Sequence, residues 1–170
     1  FDASREGTIH LIKKGYRSIG LILGEKHTEE SKERLNGFKQ ALQDHHQEFR
    51  SALVAEGNNS IQSGYDAMLQ LLKRKQKRPG AVFCTNDEMA IGAMQALRSM
   101  KIRCPQEMAV MGFDGINAGG IFSPGLTTMA QPSEQIAAEA TDILIQLIEG
   151  NLKPPVSKII RAHLIIRGSA

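Results

Sequence analysis

Four polar residues stand where a small molecule could be gripped: Arg34, Asn59, Asn86 and Asp114. Each follows an apolar run of strand length, either in the next loop or near the start of the next helix. A guanidinium is a rigid fork of donors, a carboxylate offers only acceptors, and an amide offers both. Gathered in one crevice, that set suits a small polyhydroxylated or heterocyclic ligand. Plainer readings stay open beside it. Asn86 also reads as a helix cap, Asp114 as an Asp-Gly turn residue, Asn59 as a turn residue and Arg34 as an exposed helix residue. Reaction chemistry finds less support. The chain holds no G-x-S-x-G, H-E-x-x-H, P-loop or G-x-G-x-x-G, and Asp114 has no evident acid or base partner. The five histidines are scattered, so neither an enzyme, a cofactor nor a metal site is expected.

The elements that must position these residues centre on Ala81–Gly115. Ala81–Cys84 has the length and apolarity of a buried strand, and Thr85-Asn86-Asp87 interrupts it with good helix caps. Glu88–Met100 carries apolar residues around most of a helix, and Ala109–Gly112 is a second strand-like run. Two apolar strands joined by a crossover helix are most simply parallel, and ligands bind beyond the carboxyl ends of such strands. The same alternation runs earlier in the chain. It gives a helix over Ala3–Lys14 capped by Asp2, a strand over Ile19–Leu23, and a helix ending near His45. A strand over Ala52–Ala55 and a helix over Tyr65–Lys73 follow. Gly15 sits where a helix-ending glycine belongs. After Asp114 the rhythm loosens into a glycine-rich stretch to Leu126, a short extended segment at Thr127–Met129, and a helix from Pro132 to Gly150. Ile136, Ala140, Leu144 and Ile148 line one face of that helix, and a strand region at Ile159–Ile166 closes the chain. The fold class is α/β, a parallel sheet with helices on both faces. A helix at the very start, and another at 132–149, lie outside the strand–helix alternation and suggest parts of a second lobe.

Composition is that of an ordinary globular domain. Hydrophobic residues are 41% and charged residues 23% of 170, with no apolar run near the ~20 residues of a membrane span. No signal peptide is visible. Cys84 and Cys104 have no metal-ligand spacing and read as inert thiols, which fits a reducing cytoplasm. A net charge of +3 does not by itself argue for nucleic acid, and the basic run Lys73–Arg78 reads most simply as a solvated helix end.

Several stretches resemble one family in order: Thr85–Ala93, Cys104–Asp114, Ser123–Pro132 and Leu164–Ser169, with Gly15–Ile19 and Arg34–Phe38 before them. Together they resemble the effector-binding core of the lac-repressor (LacI/GalR) family. The resemblance implies a two-lobed, type I periplasmic-binding-protein-like fold with a sugar-like or purine-like effector between the lobes. It implies a homodimer that reaches operator DNA through an N-terminal helix-turn-helix domain, absent from this chain. Arg34, Asn86 and Asp114 match effector-binding positions. Asp2 matches a ligand-binding carboxylate, and Asn59 stands where family members place a stacking aromatic. On this resemblance, residues 17–126 and 158–170 form the C-terminal lobe, while 1–16 and 127–157 are remnants of the N-terminal lobe and crossovers. The expected function is effector sensing for a transcriptional repressor, and the alternative is a sugar-binding receptor of a transport system.

Overall fold

Unbroken apolar runs form the middle of a six-stranded sheet in the computed structural model, which describes residues 1–74 and 78–170. Strands β1 (Ile19–Leu23) and β3 (Ala81–Cys84) are buried at every residue, as strands covered on both faces must be. Beside them lie β2 (Val54–Glu56), β4 (Ala109–Asp114), β5 (Thr127–Ala130) and β6 (His163–Ile165), in the spatial order β2-β1-β3-β4-β5-β6. The first five are mutually parallel, as expected of a parallel sheet, and β6 pairs antiparallel to β5. It can do so because the chain returns to the edge of β5 through a long connection and not through a crossover helix packed on the sheet.

Alternate strand residues feed two cores. Ile22, Val82, Cys84 and Val110 pack under α3 (Ile61–Lys73) and α4 (Asp87–Ser99). Leu21, Phe83 and Met111 pack on the other face under α1 (Asp2–Lys13) and α2 (Glu29–Asp44). Helices α3 and α4 touch through glycines: a Cβ on Gly92 would come within 1.9 Å of the Ile61 carbonyl, and one on Gly64 within 2.1 Å of that of Met89. The basic run's middle, residues 75–77, lies outside the described residues, while Lys73 does end α3.

Several boundaries differ from expectation for local reasons. Helix α1 begins one residue early, so Asp2 is not its cap; it lies in the first turn, where a carboxylate complements the helix dipole. Helix α3 begins at Ile61 because Ser60 caps it, its Oγ accepting from Ser63 N at 3.2 Å. Strand β2 starts two residues later than expected, after a short 3-10 turn over Ser51–Leu53. Gly15, at φ 94°, ends α1 in the left-handed conformation expected of it.

Residues 1–16 do not stand apart: Leu11 and Ile12 sit in the second core, and Ser4 Oγ donates to the Arg34 carbonyl at 2.6 Å. Residues 127–130 are a full strand of the same sheet. What stands apart is α5 (Ser133–Ile148), which has no buried residue, although its apolar stripe is where expected.

Candidate functional site

The carboxyl ends of β1, β2, β3 and β4 meet along one edge of the sheet, and the turn after β3 binds the neighbouring loops together. Thr85, Asn86 and Asp87 are consecutive, and all three are buried. Thr85 Oγ1 accepts from Gly24 N at 2.9 Å and so holds the loop after β1. Asn86 Nδ2 donates to the Asn59 carbonyl at 2.9 Å and holds the loop after β2, while its Oδ1 caps α4 by accepting from Met89 N at 2.9 Å. Asp87 reaches the other way. Its Oδ2 accepts from Gly115 N and Ile116 N, each at 2.8 Å, and its Oδ1 accepts from Thr128 Oγ1 at 2.6 Å.

Arg34 projects into this edge from α2. Its side chain is only 11% exposed, which excludes the surface-helix reading. One terminal nitrogen donates to the Thr85 carbonyl; the other pairs with Glu30 and lies 3.5 Å from Asp114 Oδ1. The guanidinium also lies 3.9 Å from the centre of the Phe113 ring, a cation–π contact that fixes its plane. Asp114 ends β4 at φ 114°, outside the region most non-glycine residues adopt, and Gly115 follows at φ 80°. The Asp114 carboxylate accepts from Gln131 Nε2 at 2.7 Å, and Gln131 N donates to the Asp114 carbonyl at 3.0 Å. Burial raises the Asp114 carboxyl above the ordinary carboxylate range, with Arg34 and Gln131 pulling the other way. Asp87 is raised by burial too, against its three donors.

The expected residues therefore divide. Arg34 and Asp114 are in direct contact, and Asn86 joins Asn59 through that residue's backbone. Asn59 is exposed, at φ 67°, and its side chain covers Gly24, where a Cβ would meet its Oδ1 at 2.1 Å. Asp2 is exposed and shares no hydrogen bond with the other four among the described residues. Glu30, Thr85, Asp87, Phe113 and Gln131 belong to the arrangement although they were not among the expected residues. Thr85 and Asp87 carried a signal, since a polar triplet directly after an all-buried strand must find partners at the sheet edge. Glu30 and Gln131 had none, because they meet Arg34 and Asp114 through tertiary geometry.

Beside Asp114 a cavity of about 520 Å³ opens between this loop and α5, bordered by Gly115, Ile116, Gln131 and Ile136. A second, of about 500 Å³, lies toward the far end of α4 and holds none of these polar residues. Among the described residues no cluster of His, Cys, Asp and Glu is suited to a metal ion, and no helix is long and apolar enough to cross a membrane. A buried guanidinium between two carboxylates, rimmed by carbonyl and amide groups, can donate to a neutral ligand's oxygen or nitrogen acceptors, while the carboxylates and carbonyls accept from its hydroxyl or N–H groups.

Comparison with known proteins fits this geometry. Residues 8–170 match the family of the periplasmic binding protein-like domain. The HTH-type transcriptional repressor PurR of Haemophilus influenzae is 36% identical over 148 residues, 87% of this chain and 44% of the relative. The transcriptional regulator CelR, solved with cellobiose, superposes with a TM-score of 0.93 at 32% identity, covering 100% of this chain and 53% of its own. The transcriptional repressor AscG of Escherichia coli superposes at 0.90 with 32% identity, over 99% of this chain and 60% of its own. The chain thus spans about half the length of the curated relatives it matches. It belongs to the periplasmic binding protein-like domain family and is an effector-binding domain of the LacI/GalR regulators.

Proposed function

We propose that this chain is the larger part of the ligand-sensing core of a DNA-binding transcriptional repressor, and that it takes a neutral small molecule rich in hydrogen-bond donors, a sugar or a purine. The observation that carries the reading is Arg34, buried at the carboxyl edge of a parallel sheet, stacked on Phe113 and shared between Asp114 and the Thr85 carbonyl. The Arg34–Asp114 pair contacts the ligand directly, with Asn86 holding the opposite loop. Asp2 lines the rim from α1. Asn59, without an aromatic ring, leaves that wall polar, which favours hydroxyl recognition over ring stacking.

The whole repressor works as a cytoplasmic homodimer whose second lobe closes over the ligand and packs on the apolar stripe of α5. Ligand binding favours one arrangement of the lobes, and that preference reaches operator DNA through a helix-turn-helix domain. Relatives named as transcriptional repressors support this reading over a transport receptor and over catalysis. Calorimetric titration of the whole protein with a panel of pentoses, hexoses, cellobiose and purine bases tests it. At least one compound binds, and Arg34→Ala weakens it by about 1.5–3 kcal/mol, the worth of hydrogen bonds to a charged group. Unchanged affinity in Arg34→Ala would overturn the site, and failure to retard DNA from its own promoter region would overturn the repressor.

A further inference from the structure

We infer that Asp87 is a positioning residue for effector recognition: it fixes the backbone that aims Asp114 and ties that loop to the strand leading into α5. This rests on the reading that Asp114 contacts the effector. Asp87 is 1% exposed, and a buried carboxylate is costly unless each oxygen is answered. Both oxygens are answered, and from two different elements. Oδ2 takes the consecutive N–H groups of Gly115 and Ile116, while Oδ1 takes the hydroxyl of Thr128 on β5. The first pair matters because Asp114 and Gly115 both hold positive φ. Such a backbone persists where its surroundings over-determine it, and two N–H groups aimed at one oxygen supply that constraint.

The bonds close a ring. From Asp87 it runs through Gly115 to Asp114, across to Gln131 at 2.7 Å, back along β5 to Thr128, and from Thr128 to Asp87 at 2.6 Å. An effector that competes for the Asp114 carboxylate therefore acts on Gln131, the residue through which the chain leaves the sheet for α5. Gly112 shows how closely the clamp is built, since a Cβ there would come within 2.1 Å of Asp87 Oδ1.

Two substitutions separate position from charge. Asp87→Asn can keep every contact: its Oδ1 accepts from Gly115 and Ile116, and its Nδ2 donates to Thr128 Oγ1. Asp87→Ala keeps none, yet both remove the same negative charge. Amide exchange and the carboxyl ¹³C titration of Asp114 are read by NMR in the whole protein without ligand. In Asp87→Asn, Gly115 and Ile116 stay protected and Asp114 titrates close to its original midpoint. In Asp87→Ala, both amides exchange at least tenfold faster, and the Asp114 midpoint falls toward that of an open carboxyl. Identical Asp114 titrations in the two variants would overturn the inference, because charge alone would then account for the change. If Asp87→Ala does not fold, Gly112→Ala displaces the clamp with its charge kept: faster exchange of Gly115 and Ile116 there supports the inference, and unchanged protection overturns it. Neither reading involves a ligand, so failure of the sugar and purine panel would sink the proposed function while leaving this result standing.

Discussion

The turn after β3 and helix α5 break the usual rule of polar outside and apolar inside in opposite directions. Thr85, Asn86 and Asp87 are polar and buried, and each finds its partners within the chain. Helix α5 holds Ile136, Leu144, Ile145 and Ile148 at 39%, 57%, 47% and 77% exposure, with no buried residue at all. Buried polar groups persist only when satisfied, so the turn is a finished piece of structure. An apolar stripe left open is a surface shaped for something else. The site edge is self-contained, and helix α5 is not.

The strongest way to break this contrast is to attack the finished region. Phe83 is fully buried in the central strand β3, one residue before the strand ends. Phe83→Ala should cost about 3–5 kcal/mol, a large part of the stability of a typical domain. Urea unfolding of this chain measures it, and a loss below about 1 kcal/mol would mean the sheet is not the rigid base assumed here. Gly92→Ala comes next. Its methyl would meet the Ile61 carbonyl at 1.9 Å and Tyr65 N at 2.7 Å, both backbone groups that cannot swing away. Overpacking of this kind costs about 1–3 kcal/mol. Because α4 starts at the Thr85–Asp87 turn, the same variant should also weaken effector binding.

Titration sharpens the comparison at the site itself. Burial lifts the Asp114 carboxyl in the folded chain above 3.8, its ordinary value, despite Arg34. A carboxyl raised by folding stabilises the folded form below its unfolded value, and that contribution is lost as pH climbs through the raised value. Asp114→Asn should therefore flatten the stability profile just above pH 3.8. Effector affinity should run the opposite way, because the ligand's donors need an ionised acceptor. It falls as pH drops through the raised value, and in Asp114→Asn that fall disappears. Parallel pH profiles in the original and substituted proteins would contradict the role given to Asp114.

How much of this was legible in the sequence follows the same division. Continuous apolar runs marked β1 and β3 to the residue, because strands buried on both faces leave no ambiguity of pattern. Edge strand β2 was misplaced, since a half-exposed run of three residues carries little pattern. Arg34, Asn86 and Asp114 were legible as residues placed after strands. Glu30 and Gln131 were not, for their importance comes only from where Arg34 and Asp114 lie in space. Helix α5 taught the converse: its apolar stripe lies where the sequence placed it, yet no residue of the helix is buried, because the pattern marks a face and not what covers it.

That last point gives the smallest expected effect and the most direct reading of the contrast. Leu144 is 57% exposed on α5, so Leu144→Ser should change the stability of this chain by no more than about 0.5 kcal/mol. On the proposed function, the same side chain lies under the second lobe of the whole protein. Removing it there forfeits burial of a leucine, worth roughly 1.5–3 kcal/mol, and opens the interface to water. Paired unfolding measurements on the chain and on the whole protein read the difference directly. A large loss in the chain alone would mean that α5 is already packed and the finished region extends further than drawn. A negligible loss in both would leave the stripe without a partner in the second lobe, and the lobe's seat on α5 would have to be abandoned.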